Sequence, residues 1–127
     1  MLNKQDILRR VAQFGYPAYQ YWVSAGAGLV LHGVKALTRD IDIGCGEALG
    51  QALIAQGKTC QRMADGTRKI QVDDKIDVFE NWFVDEMIEI DGICVATLSS
   101  IRKQKVALNR EKDWEDIRLI DAFMGKA

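Results

Sequence analysis

Arg39-Asp40-Ile41-Asp42-Ile43 sets carboxylates and branched aliphatic side chains at alternate positions. In an extended strand successive side chains point to opposite faces. Ile41 and Ile43 therefore belong to a core, and Asp40 and Asp42 share the other face. Two carboxylates held that close repel each other. A bound divalent cation relieves the repulsion, and so does an open, screened position on the outer face of a strand. Both readings stand on this stretch alone.

A second stretch repeats the theme. In Lys75-Ile76-Asp77-Val78-Phe79 the carboxylate is framed by apolar residues. Aspartate is depleted in strands, so one in this frame needs a reason. If the two strands are neighbours, Asp77 completes a cluster with Asp40 and Asp42. Three hard oxygen donors suit Mg²⁺, with Mn²⁺ as the alternative, shared with substrate phosphates. Asp73 and Asp74 fall at a turn, where aspartate is common for local reasons.

Outward from these strands the pattern is mixed. Asn3 caps an amphipathic helix to Phe14, with Ile7, Leu8, Val11 and Phe14 as its stripe, and Gly15-Tyr16-Pro17 ends it. Tyr19 to Ala25 reads as a strand and Gly26 to Gly33 as a short helix. Leu37 to Cys45 is a strand, and Gly46 to Gln56 a helix stopped by Gly57. Strands follow at Lys58 to Met63, Arg68 to Val72 and Lys75 to Phe83, with a turn at Asp65-Gly66. Met87 to Ile90 and Ile93 to Ala96 form a hairpin about Asp91-Gly92. Helices over Leu98 to Leu108 and Lys112 to Met124 close the chain. The fold class is α/β or α+β, a mixed sheet packed by helices with a C-terminal helical pair.

Composition narrows the function classes. The chain has 127 residues, 48% hydrophobic and 28% charged, which fits one globular domain over 1–127. Intrinsic disorder is excluded, and so is a membrane span of about eighteen apolar residues. Met1 to Arg10 is charged and amphipathic, unlike a secretory signal. Seventeen Lys and Arg face eighteen Asp and Glu, so the total charge implies neither a polyanion nor a membrane surface as partner. Cys45, Cys60 and Cys94 form no C-x-x-C pair, as expected of reduced thiols in a cytoplasmic protein. A single histidine, His32, argues against zinc; on its apolar helix it reads as buried and hydrogen-bonded.

Ser24-Ala25-Gly26-Ala27-Gly28 joins a strand to a helix with small residues. Such a turn lets a phosphate reach the backbone N–H groups, or lets the helix pack tightly on the sheet. It matches neither a P-loop nor a G-x-G-x-x-G fingerprint. Lys105 lies in the apolar stripe of Leu98, Ile101 and Leu108, where it must snorkel, pair with an acid or face a polar cleft. Asp113 shares a face with Ile117 and Ile120, and a structural bond to Lys105 is one reading of it. Ser99 to Lys112 is rich in Lys and Arg, which fits either a solvated helix face or a guide for RNA.

Together these pieces resemble the nucleotidyltransferase superfamily, the fold of DNA polymerase beta and of antibiotic adenylyltransferases. Val23 to Leu29 resembles the family's glycine turn. Leu31-His32-Gly33 with Thr38-Arg39-Asp40-Ile41-Asp42-Ile43 resembles its H-G…T-x-D-I-D segment, and Asp77 its third acid. Lys105 with Asn109 to Asp116 is similar to the K…R-x-K-D…D end of the AbiEii-type branch. The family usually has glycine where Ala25 stands and often an arginine near Ala36, where Lys35 is the nearby cation.

The resemblance implies a Mg²⁺-dependent enzyme that moves a nucleoside monophosphate from an NTP, ATP foremost, to an acceptor, releasing pyrophosphate. It implies Asp40, Asp42 and Asp77 as metal-binding catalytic acids, with Ser24, Gly26 and Lys105 binding the nucleotide. The acceptor is open among an antibiotic, a tRNA end and a protein side chain. The alternative is a catalytically silent domain of the same fold that binds a nucleotide or a protein partner. A sugar-nucleotide transferase using D-x-D is a third reading.

Overall fold

The computed structural model describes residues 1–82 and 84–125. In chain order it has α1 (Lys4–Phe14), β1 (Tyr21–Ser24), α2 (Ala25–His32), β2 (Ile41–Cys45) and α3 (Glu47–Ala55). Then come β3 (Thr59–Arg62), β4 (Arg68–Gln71), β5 (Ile76–Glu80), β6 (Met87–Ile90), β7 (Ile93–Ala96), α4 (Leu98–Leu108) and α5 (Glu111–Phe123). The seven strands make one mixed sheet in the order β3-β4-β5-β2-β1-β7-β6. The mixed sheet with a C-terminal helical pair is the fold class read from the sequence. No helix among the described residues is long and apolar enough to cross a membrane.

One face of the sheet carries the core. Ile41, Ile43, Ile76, Val78, Ile70, Val23 and Val95 are buried there against Ile7 and Val11 of α1, Ala27 and Val30 of α2, and Leu49 and Leu53 of α3. A second, smaller cluster joins Leu29 of α2 to Ile101 of α4 and Ile120 of α5. Helices α2 and α4 approach closely: a Cβ on Gly28 would stand 2.9 Å from Cδ1 of Ile101. Helix α1 begins with a full capping box, in which Asn3 and Asp6 each accept from the other's backbone N–H.

Several boundaries differ from the sequence reading. Ala18–Gln20 is a 3-10 turn, so β1 starts only at Tyr21, and Ala25 already opens α2. Leu37 to Asp40 do not belong to β2. Thr38 instead bridges antiparallel to Leu2, with N–H to carbonyl distances of 2.7 and 2.9 Å, and draws the chain toward the N-terminus before β2 begins. Strand β5 ends at Glu80; Phe83, the expected end of that strand, lies outside the described residues. The last helix runs Glu111–Phe123, because Arg110 is its N-cap and Asp113 bonds back to the Arg110 N–H.

Candidate active site

The opposite face of the sheet holds the polar residues, and the strand register lines them up. Ser24 of β1 stands opposite Asp42 of β2, and Asp42 opposite Asp77 of β5. Asp77 stands opposite Gln71 of β4, and Gln71 opposite Thr59 of β3. One row therefore crosses five strands with the two carboxylates near its middle. The next row, two residues along each strand, runs Trp22, Gly44, Phe79, Lys69 and Gln61.

Gly44 is where this second row needs a glycine. A Cβ there would collide with the indole nitrogen of Trp22 and stand 2.7 Å from the Trp82 carbonyl oxygen. The bare backbone lets the Trp22 indole N–H donate to that oxygen at 3.0 Å. Phe79 packs edge-on against Trp82, with ring centroids 5.1 Å apart.

The carboxylates perturb each other. The Asp42 carboxyl is pushed up to about 6 by burial first, then by the charges of Asp40 and Asp77, against the opposing pull of Lys69 and Lys105. The Asp77 carboxyl is also raised, by burial first. Lys69, whose ammonium is 3.8 Å from Asp77, opposes that rise, while Asp40 and Asp73 add to it. Asp40 itself is exposed and precedes the strand, so the alternation inferred for it from sequence does not apply. Its charge still reaches both other acids. Among the described residues no three His, Cys, Asp or Glu side chains are gathered as a ready metal cage.

Two hollows flank the acid pair. A cleft of about 430 Å³ lies on the Asp42 side, between the sheet and α4, and its lining includes Phe79, Trp82, Gln104, Lys105 and Arg110. A smaller groove of about 160 Å³ lies on the Asp77 side, over Thr59, Gln61, Lys69 and Gln71. Asp42 lines only the first and Asp77 only the second.

The cations of the cleft are fixed by acids of α5. Lys105 is buried and pairs with Asp116 at 3.0 Å and Asp113 at 3.4 Å. Arg110 donates through Nε to Asp113 at 2.6 Å and through a terminal nitrogen at 3.1 Å. Burial pushes the fully enclosed Asp113 carboxyl up, but the hydrogen bonds from Arg110 and the charge of Lys105 outweigh it and hold the group below its ordinary range. Lys35 reaches the same network through Asp116 at 3.2 Å. Lys105 thus combines two of its sequence readings, pairing with acids while lining a polar cleft.

The remaining sequence candidates fall as follows. Ser24 is fully buried and donates to Gln104 Oε1 at 3.1 Å, which ties β1 to α4. Gly26 packs closely, since a Cβ there would stand 2.6 Å from Thr38 Oγ1. Ala25 takes a left-handed backbone, φ 53°, at the very turn where the resembled family carries glycine. His32 is hydrogen-bonded through Nε2 to the Ala96 carbonyl oxygen at 2.8 Å. The basic run is largely neutralised: Arg102 pairs with Asp121, Lys103 with Asp85, and Lys105 and Arg110 as described. Sequence reasoning missed Lys69, Gln104, Phe79 and Trp82 as site neighbours. Lys69 and Phe79 carried a signal, their two-residue spacing from Gln71 and Asp77, but only the strand order turns that spacing into proximity.

No family model and no curated protein sequence matches the chain. Among solved structures, the chain is similar to the aminoglycoside nucleotidyltransferase ANT(2")-Ia, solved in complex with adenylyl-2"-tobramycin. The match has a TM-score of 0.58 at 17% identity and covers 95% of this chain and 87% of the other. The chain therefore has a nucleotidyltransferase-like fold.

Proposed function

We propose that this chain is a Mg²⁺-dependent nucleotidyltransferase that moves a nucleoside monophosphate from an NTP, ATP foremost, to an acceptor hydroxyl. The observation that carries the reading is the register of Asp42 against Asp77 between two hollows, in a fold of nucleotidyltransferase type. The donor set fits the metal. Mg²⁺ is usually held by one or two carboxylates together with substrate phosphates and waters, so no preformed cage is required. Burial first, and then the neighbouring carboxylates, raise the Asp42 carboxyl, and a bound cation would favour its charged form. Asp42 and Asp77 would hold the ion, with Asp40 joining as the substrate phosphates arrive. When bound, the metal neutralises charge on the transferring phosphoryl group and its leaving oxygen.

The chain's own residues divide the remaining work. The NTP occupies the cleft on the Asp42 side, a volume suited to a small ligand. Lys105 and Arg110 face its triphosphate, and Ser24 and Gly26 shape the start of α2, where backbone N–H groups meet phosphate. The acceptor oxygen attacks the α-phosphorus and forms a new P–O bond. The bond to the β-phosphate breaks and pyrophosphate leaves. Asp77 takes the hydroxyl proton, a role helped by its raised pKa.

A second reading, a silent nucleotide-binding domain, draws on the exposed Asp40 and on Lys105 being already paired. One experiment separates them. The protein is incubated with Mg²⁺, each α-labelled NTP and cell extract, beside Asp77→Asn. The transferase labels an acceptor and the variant does not. The silent domain shows NTP-dependent stabilisation, about 2.7 kcal/mol at a hundred times Kd, with no labelled product. A melting temperature indifferent to Mg²⁺ and all four NTPs removes both.

A further inference from the structure

We propose that a third hollow, on the core side of the sheet and away from the acid pair, binds a small aromatic acid carrying one negative charge. This site does not depend on the activity proposed above. The hollow is about 310 Å³ and lies between Phe14 at the end of α1, Tyr16 just beyond it, Leu53 of α3 and Ile76 of β5. That volume is at the lower end of the range for small-molecule sites. None of the residues lining it lines the cleft or the groove at the acids.

Two groups at this hollow are short of a partner. The first is Lys58. Among the described residues it makes no ion pair, and its ammonium meets the Val72 carbonyl oxygen at 3.4 Å. The hollow's other cation, Arg10, is shared between Asp73 at 3.5 Å and Asp74 at 3.3 Å. Asp73, the single carboxylate in the lining, is committed as well: its Oδ1 accepts from the Lys75 and Ile76 N–H groups at 2.8 and 2.9 Å. One positive charge is left over. A single carboxylate on a ligand balances it, and a second negative charge would meet Asp73 and Asp74. The second group is the Tyr16 hydroxyl. Its Oη is shielded from water and is the one buried side-chain polar atom among the described residues with no hydrogen-bond partner. Folded proteins satisfy nearly all such atoms. A small turn of the Tyr16 side chain brings it to a hydroxyl or carbonyl oxygen on the ligand. The Phe14 and Tyr16 rings, with centroids 5.0 Å apart and planes inclined at 52°, join the buried Leu53 and Ile76 as an apolar wall for a planar body.

Three probes of one ring and different charge test this: 4-hydroxybenzoate, 4-hydroxybenzamide and 4-hydroxyphenyl phosphate. Each is titrated into the full chain and read by saturation-transfer NMR. The benzoate is expected to bind tightest. Lys58→Met keeps the apolar stem and should weaken it about tenfold, the scale of a hydrogen bond to a charged group, and Tyr16→Phe should weaken it about fivefold. Because the Tyr16 hydroxyl bonds nothing in the protein, Tyr16→Phe should leave the melting temperature unchanged, which separates lost binding from lost folding. Benzoate binding that is absent, no tighter than that of the amide or the phosphate, or indifferent to either substitution overturns the proposal. Displacement of the benzoate by MgATP also overturns it, since that places the probe in the cleft at Asp42.

Discussion

Replacing Asp42 by Asn should stabilise the folded chain at neutral and alkaline pH. The Asp42 carboxyl sits at about 6 in the fold against an ordinary 3.8. Below the ordinary value the group is protonated in folded and unfolded chains alike, and it costs nothing. As pH rises toward the folded value, the unfolded chain has released its proton and the folded chain still holds it. Stability falls through this window and stays low once the folded group has ionised. A shift of about two units at about 1.4 kcal/mol per unit gives a ceiling of about 3 kcal/mol. Asparagine has nearly the same shape and cannot ionise, so it escapes that loss. For a chain of this size the gain corresponds to roughly 10 °C in melting temperature. The assay is thermal unfolding of wild type and Asp42→Asn at about pH 4, 6 and 8, with and without MgCl₂. The curves should coincide near pH 4 and separate by pH 8, and Mg²⁺ should raise only the wild type. A variant no more stable than wild type at pH 8 would refute the claim that burial and the neighbouring carboxylates strain this site.

Lys105→Met should destabilise the fold by about 3–5 kcal/mol by urea titration, because it leaves Asp113 and Asp116 enclosed without their shared ammonium. A variant that folds as well as wild type would show that Arg110 and Lys35 satisfy those acids unaided. Gly44→Ala should cost about 1–3 kcal/mol and shift tryptophan fluorescence, since the new methyl displaces Trp22 from the Trp82 carbonyl. Ala25→Gly should add about 1 kcal/mol by relieving the left-handed backbone at the start of α2; a loss of stability would mean that the turn is held by contacts of the Ala25 methyl.

Elements with strong local periodicity were legible before any coordinates. The hairpin of β6 and β7 and the helix α4 fall on the residues expected, because turn chemistry at Asp91-Gly92 and the apolar spacing of Leu98, Ile101 and Leu108 are local signals. The N-cap at Asn3 is likewise local. What failed was set by distant partners. Nothing near Leu37 announces that Thr38 pairs with Leu2, and that pairing removes Asp40 from the strand. The polar row also needs the order β3-β4-β5-β2-β1, which no single segment encodes. Lys105 is legible as an anomaly in an apolar stripe, and its bond to Asp113 is one of the sequence readings, but Asp116, its second acid, is identified only by packing.

The parallel pairing of β2 with β5 carries a consequence for how the protein is made. Parallel neighbours need a crossover, here α3 and the β3–β4 hairpin, so Asp42 leaves the ribosome well before Asp77. Until β5 docks, a growing chain has no ridge of acids and neither of the hollows it divides. Docking with a one-residue slip would turn Ile76 and Val78 outward and bury Asp77, so the core rejects it. The same step brings two like charges side by side and closes a loop that spans α3 and the β3–β4 hairpin, which slows it. On the proposed metal reading, divalent cations in the medium would ease this pairing by offsetting the two charges.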